Sequence, residues 1–474
     1  MKSKPIKRRQ FLGYLLLLVA LYRCKKDALT ISKTVTPPIT EVTDAYLGQY
    51  STTDYGNALQ PEPDFMSTIN GYTDRVSYNS GDTVNVFLSG PASANAAITL
   101  HDTKGNIIQT ISTPIVTQTI NSTKPWVDGF GYAKTFSFQI PQYLQSGIYT
   151  WQGQIPFVCK GANQAADIIV VYPSNTTNAY NPAGGKSLYL PDASNRASVL
   201  SFLRSNVISY PQFYQWIDGL PYTIRYIADS DLDNYEEIAN SKIVMITGHS
   251  EYWTTKARLN IDKFVDSGKN LLVLSGNTMW WQIRYNPGKN MMIAYKHGPS
   301  DPLGNTKYSS VSFDDPTVNY SVTNSIGADY TLGGYGRTLA NRWDGYKIVQ
   351  ENSPLFAGAG LKNGDILSLK TTEYDCVPVV NMIAPGSTEV PVIDNAKLNY
   401  YKSELLGYDF AENLEPGDGL GLGTFIVGQR TPSSGVIVNV ASMDWCNYIV
   451  YDQFKIITKN MIDLSLKGGN LFTT

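Results

Sequence analysis

Between Lys242 and Gly276 the chain reads KIVMIT, then TTKARLNIDKFVDSG, then NLLVLSG. Two continuous apolar runs bracket a stretch with helical apolar spacing, which predicts strands buried on both faces and a crossover helix between them. The alternation recurs after Tyr172. SLYL, YTIRYIA and GVIVNVAS read as strands, and ASVLSFLRSNV, YPQFYQWI and LDNYEEIAN as helices. From Gly71 to about Tyr172 the texture differs. GYTDRVSYNSGDTVNVFLSG, AAITLHDTKGNIIQTI, YAKTFSFQIP and SGIYTWQGQI are short alternating runs separated by SG and KG turns, which predicts a β-sandwich. Residues 296–430, rich in Gly, Asn and Tyr, show no steady period and read as long loops.

The N-terminus adds an address. MKSKPIKRR followed by FLGYLLLLVALY is a basic segment with an apolar run too short to span a bilayer comfortably. KRRQFLG resembles a twin-arginine export signal, and Cys24 stands where a lipoprotein would be acylated, although Arg23 replaces the usual small residue. The expected organisation is an export signal over residues 1–24, a polar tether over 25–62, a sandwich over 63–174 and an α/β domain over 175–474. Membrane contact would come only through the lipid. A net charge of −2 gives no footprint for nucleic acid. Cys159, Cys376 and Cys446 show no metal spacing and allow at most one bridge. The sequence names neither an oligomeric state nor a small partner subunit.

Chemistry concentrates at two strand ends. Ligands of open parallel sheets bind beyond the carboxyl ends of the strands. Gly248 and Gly276 each end a strand, so HSEYW and SGNTMWW should project into one crevice. His249 and Glu251 are the acid–base candidates, Tyr252 is a metal-ligand candidate, and Asn277, Trp280 and Trp281 are substrate-contact candidates. The structural alternative is a helix start capped by Ser250. Tyr210 and Tyr214, four apart, share one helical face. NPAGGKSLY ends like a phosphate loop, yet Tyr180 stands where its first glycine belongs and the strand follows the motif, so no nucleotide is expected. The carboxylates of ADSDLD read as capping groups. EYDC and SMDWCNY bring further carboxylates to the same region.

GYTDRVSYNSGDTV, SGIYTW, NAYNPAGGKSLY, YIADSDLD, GHSEYWT, LSGNTMWWQIR, AGLKNGD, TEYD and VASMDW follow one another in the order seen in the large (beta) subunit family of N,N-dimethylformamidase, which the chain resembles over about residues 65–465. The resemblance implies an immunoglobulin-like sandwich followed by an α/β domain with a mostly parallel, flavodoxin- or class I glutamine amidotransferase-like sheet. It also implies hydrolysis of an amide C–N bond at a mononuclear iron held by two tyrosines and one glutamate. Tyr252 matches one tyrosine; the other should lie upstream, near Tyr210 or Tyr214. The family's glutamate follows its SGN-like motif, but no Glu occurs between Asn290 and Gly336. Either Asp301, Asp314, Asp315 or Asp329 replaces it, or Glu373 reaches in, or the site has lost its iron. Export argues against dimethylformamide itself and leaves other small, larger or sugar-linked amides. The alternative is a non-catalytic surface module that binds glycans through Trp280, Trp281 and Tyr285.

Overall fold

The computed structural model describes residues 68–473, apart from 164, 191–194, 338, 340–341 and 414–418. The export segment, Cys24 and the tether lie outside these residues. Strands β1 (Asn70–Thr73), β2 (Ser77–Tyr78), β3 (Thr83–Ser89), β4 (Ser93–His101), β5 (Ile107–Ile115), β6 (Phe136–Gln139), β7 (Gly147–Trp151) and β8 (Ile155–Cys159) form two sheets, ordered β1-β3-β6 and β2-β8-β7-β4-β5. Alternation sends Val84, Val86 and Leu88 of one sheet and Ile98, Leu100 and Phe157 of the other into a shared core. Trp151 closes it, edge-on to Phe136 and Phe138.

A second, larger sheet follows. Its strands are β9 (Ile168–Tyr172), β10 (Ile224–Ala228), β11 (Ile243–His249), β12 (Asn270–Gly276), β13 (Asp329–Tyr335), β14 (Gly345–Ile348), β15 (Ile366–Ser368), β16 (Glu373–Cys376), β17 (Lys402–Glu412), β18 (Leu420–Gln429) and β19 (Val436–Asn439). The order is β10-β9-β11-β12-β19-β18-β17-β13-β16, with β14 beside β17 and β15 beside β14. From β10 to β19 every pairing is parallel, and beyond β19 every pairing is antiparallel. Helix α1 (Ser174–Tyr180) follows β9, α2 (Pro211–Ile217) precedes β10, α3 (Thr255–Asp266) crosses from β11 to β12, and α4 (Asp452–Lys467) ends the fold. Phe213, Tyr214 and Ile217 of α2 and Ile457, Met461 and Ile462 of α4 share a core with Ile168, Val170, Met245 and Leu272, so both helices cover one face of the sheet.

Five expectations require correction. IIVVY (Ile168–Tyr172), placed at the end of the sandwich, is an interior parallel strand of the large sheet, buried at every position. The segment 296–430, read as long loops, carries six strands of that sheet. Its signal was hidden by glycine: β18 reads LGLGTFIVGQ, and the Gly421 Cα sits against the Gly333 carbonyl so closely that a Cβ would fall 1.9 Å from that oxygen. SLYL is a bend, not a strand. ASVLSFLRSNV is not helical; Val199–Ser201 pairs antiparallel with Met291–Ile293, and LDNYEEIAN forms only short 3-10 turns. The three described cysteines are free and buried. No helix among the described residues is long and apolar enough to cross a membrane.

Asp229, just after β10, anchors the start of α1. Its carboxylate accepts the Asn175 N–H (2.7 Å) and the Ser174 hydroxyl (3.3 Å). Burial pushes its pKa up to about 7 despite these bonds, against about 3.9 for an unfolded aspartate. The folded state therefore binds more protons between those values, and stability falls as pH rises from about 4 to about 7. Asp229→Asn is expected to make this slope shallower; denaturation curves at both ends of the window check it, and an unchanged slope would contradict it.

Candidate active site

The parallel ladder fixes the site's foundation. His249 at the end of β11 lies directly opposite Gly276 at the end of β12. The two motifs do enter one crevice, as the glycine-ended strands predict. Gly248 has φ +70, and a Cβ there would meet the Tyr210 ring at 2.1 Å, so the turn into His249 requires glycine. Gly248→Ala should destabilise the fold by about 1–3 kcal/mol through backbone strain and overpacking. An unchanged denaturation midpoint would show that the ring simply moves aside.

Glu251 is the hub. Its carboxylate accepts hydrogen bonds from the hydroxyls of Tyr180 (3.1 Å) and Tyr189 (3.0 and 2.9 Å) and from the indole N–H of Trp281 (2.8 Å). The Tyr189 and Tyr252 hydroxyl oxygens stand 2.6 Å apart. With its own proton given to Glu251, Tyr189 receives that of Tyr252. Burial, reinforced by the Glu251 charge, holds all three phenols well above their ordinary pKa. They are neutral hydrogen-bond donors unless a cation draws their protons off.

His249 faces this hub from the other side. Its Nδ1–H donates to the Gly276 carbonyl (3.0 Å), while Nε2 lies 3.2 Å from the Tyr180 hydroxyl, 3.4 Å from Glu251 and 3.5 Å from Glu373. Burial pulls the imidazole pKa down, but the Glu373 and Glu251 carboxylates outweigh it and leave the pKa raised. Glu373 is itself raised by burial, with His249 opposing. Asn277 donates its side-chain N–H to Glu373 (3.0 Å) from a left-handed conformation, φ 49. Asp375 accepts the backbone N–H groups of Asn277 (2.8 Å) and Thr278 (3.3 Å), and burial pushes it up to about 7. Strained backbone held in this way is common where side chains must be aimed.

Lys296 completes the rim. Its ammonium lies 3.7 Å from the Tyr189 ring centroid, 5.0 Å from that of Trp281 and 5.2 Å from that of Tyr252. Burial lowers its pKa to about 7, with Glu251 opposing.

His249, Glu251, Tyr252, Asn277 and Trp281 are thus brought together. Trp280 is not open to a ligand: it is buried, edge-on to Trp281 and Tyr330. Tyr214 is a core residue whose hydroxyl contacts Thr247 (3.3 Å), because its helical face packs onto the sheet and not toward the crevice. Tyr210 lines the cleft beside His249, with its ring against Gly248. The tyrosines that accompany Tyr252 are instead Tyr180 and Tyr189, which flank the stretch that imitates a phosphate loop. Their only sequence signal was position in that motif. Lys186 of the same stretch is buried over the Trp126 ring. Ser250 does not cap α3; Thr254 does, accepting the Ala257 N–H. Asp231 accepts the Ala228 N–H, as expected of a capping carboxylate.

The carboxylate question also has a geometric answer. Asp301 is held by Arg284 (2.7 and 2.8 Å), Asp315 by Thr317, and Asp314 and Asp329 by Thr331. Glu373, from strand β16, is the one that reaches His249.

A solved structure described as the mmIFT52 N-terminal domain matches 55% of this chain and 91% of its own at 12% identity, with a TM-score of 0.25, too low to carry an argument. No curated protein matches. The family model described as "N,N-dimethylformamidase beta subunit-like, C-terminal" matches residues 99–454, which include every side chain of the cluster. The chain belongs to the N,N-dimethylformamidase beta subunit-like family.

Proposed function

We propose that the protein is a metal-dependent hydrolase of amide C–N bonds, with iron as its metal, working outside the cytoplasm. The observation that carries this reading is the convergence of two phenols, Tyr180 and Tyr189, on the Glu251 carboxylate, with the Tyr252 hydroxyl against Tyr189 and with His249 and Glu373 alongside. Among the described residues no three His, Cys, Asp or Glu side chains are grouped so as to hold an ion. A metal here needs phenol oxygens, and Tyr252, Tyr189 and Tyr180 with Glu251 or Glu373 offer an all-oxygen set suited to a hard ion. The residues fit. Bound there, iron(III) would supply the Lewis acidity that polarises an amide carbonyl.

The chain's own groups serve the rest. His249, held between two carboxylates, stores a proton within reach of the cluster and is suited to pass it to a departing amine. The Gly276 carbonyl fixes its tautomer and ring orientation. Trp281 steers the Glu251 oxygen it bonds, and Asn277 does the same for Glu373.

The finer architecture, immunoglobulin-like sandwich plus glutamine amidotransferase-like sheet, belongs to the same proposal; the shared core of the two small sheets and the parallel half of the large one support it. The glycan-binding alternative finds no support. Trp280 is buried, Tyr285 is buried with its hydroxyl on Asn175 (2.8 Å), and Trp281 spends its N–H on Glu251. Amine release from a panel of formamides and acetamides by iron-loaded protein tests the proposal. Turnover abolished by chelation is expected, and turnover indifferent to chelation would remove the metal from it.

A further inference from the structure

A cleft of about 490 Å³ opens onto His249, Glu373 and Tyr180. That volume falls in the range of roughly 300–1,000 Å³ typical of pockets for drug-sized ligands, and a dimethylated formamide would leave most of it to water. Its walls are of three kinds. Val207, Pro182, Tyr210 and Met443 give apolar surface, Asn181, Asn206, Ser209 and Thr372 give neutral polar groups, and Arg337 gives a cation. Arg337 is the only Lys or Arg among the described residues that line the cleft. It is exposed and makes no contact ion pair with a described residue, although its charge acts on Glu373 and opposes the rise that burial gives that carboxyl. Glu373 lines the inner end and is buried. Arg337 is the cationic side chain of the described lining, so it is the place in the cleft that attracts an anionic group.

We propose that the cleft takes amides larger than dimethylformamide that carry a carboxylate, N-acyl amino acids in chemical class, with the carboxylate paired to Arg337 and the apolar side chain against Val207, Tyr210 and Met443. The inference rests on the amide-hydrolase reading for the reaction but not for the binding. In the reaction, water adds its oxygen to the acyl carbon, the C–N bond breaks, and the nitrogen leaves with the proton supplied by the site, giving a carboxylic acid and a free amino acid. A guanidinium–carboxylate pair is bidentate and directional, so it would also set which bond faces the cluster.

Calorimetric titration of the full chain with N-acetyl-L-leucine and with its uncharged counterpart N-acetyl-L-leucinamide tests this, beside assay of leucine or leucinamide release. The acid is expected to bind about tenfold more tightly, the worth of one charge-assisted pair. In Arg337→Gln that ratio should fall to near one through weaker binding of the acid, and Arg337→Lys should restore part of it. Equal binding of the two compounds, no binding of either, or a preference that survives Arg337→Gln overturns the proposal. A tenfold, Arg337-dependent preference without turnover of either compound would keep the subsite and sink the hydrolase reading instead.

Discussion

Glu251→Gln folds but loses at least about a hundredfold in turnover of any amide the protein cleaves, the usual scale for removing a catalytic carboxylate or its electrostatic support. The substitution preserves shape and removes one charge. A glutamine can accept from Tyr189 or Trp281 with its single carbonyl oxygen, and its N–H₂ then faces hydroxyls that were donating to Glu251. The phenols lose their common acceptor. His249 loses one of the two carboxylates that hold its pKa up. The limb of the pH–rate profile that reports loss of the imidazolium proton should therefore shift to lower pH. Both readouts follow from one set of kinetics across pH. Wild-type turnover in this variant would show that the hub is structural.

The second large effect is expected at the phenol pair. Tyr252→Phe keeps the ring packed among Trp126, Leu200, Ile283 and Ile293, so the fold should lose no more than about 1 kcal/mol for the missing hydrogen bond. Iron binding should be lost, because the variant removes one of the phenol oxygens proposed to hold the ion. Tyr189→Phe should cost the metal as well, and it additionally frees the Tyr252 hydroxyl from its 2.6 Å partner. Metal analysis of the two purified variants, with a denaturation curve for each, separates ligand loss from unfolding. Full occupancy in Tyr252→Phe would take that residue out of the ligand set.

Much of the site's foundation was legible because it depends on local pattern. KIVMIT and NLLVLSG are unambiguous buried strands, and their glycine ends place His249 and Asn277 side by side. Family motifs added Tyr252. What escaped depends on tertiary distance. Tyr180 and Tyr189 sit after β9, a strand whose pattern, IIVVY, suits a sandwich as well as a parallel sheet. Tyr210 and Tyr214 share a helical face, which correctly implied burial but could not tell core from crevice. Glu373 enters from a strand inside the stretch that reads as loop, since glycine contacts such as Gly333 against the Tyr374 carbonyl replace the apolar alternation that betrays a strand. Arg337 follows that same glycine-rich strand and left no mark in any motif.

The central claim is that the phenols and carboxylates around Glu251 form a metal centre. It is tested most directly by measuring the iron content of the purified protein together with its visible absorption spectrum. Near-stoichiometric iron with a tyrosinate-to-iron charge-transfer band, absent from Tyr252→Phe, is the predicted result. A colourless protein that remains free of iron after loading would contradict it and leave the cluster as a network of neutral phenols on a buried carboxylate.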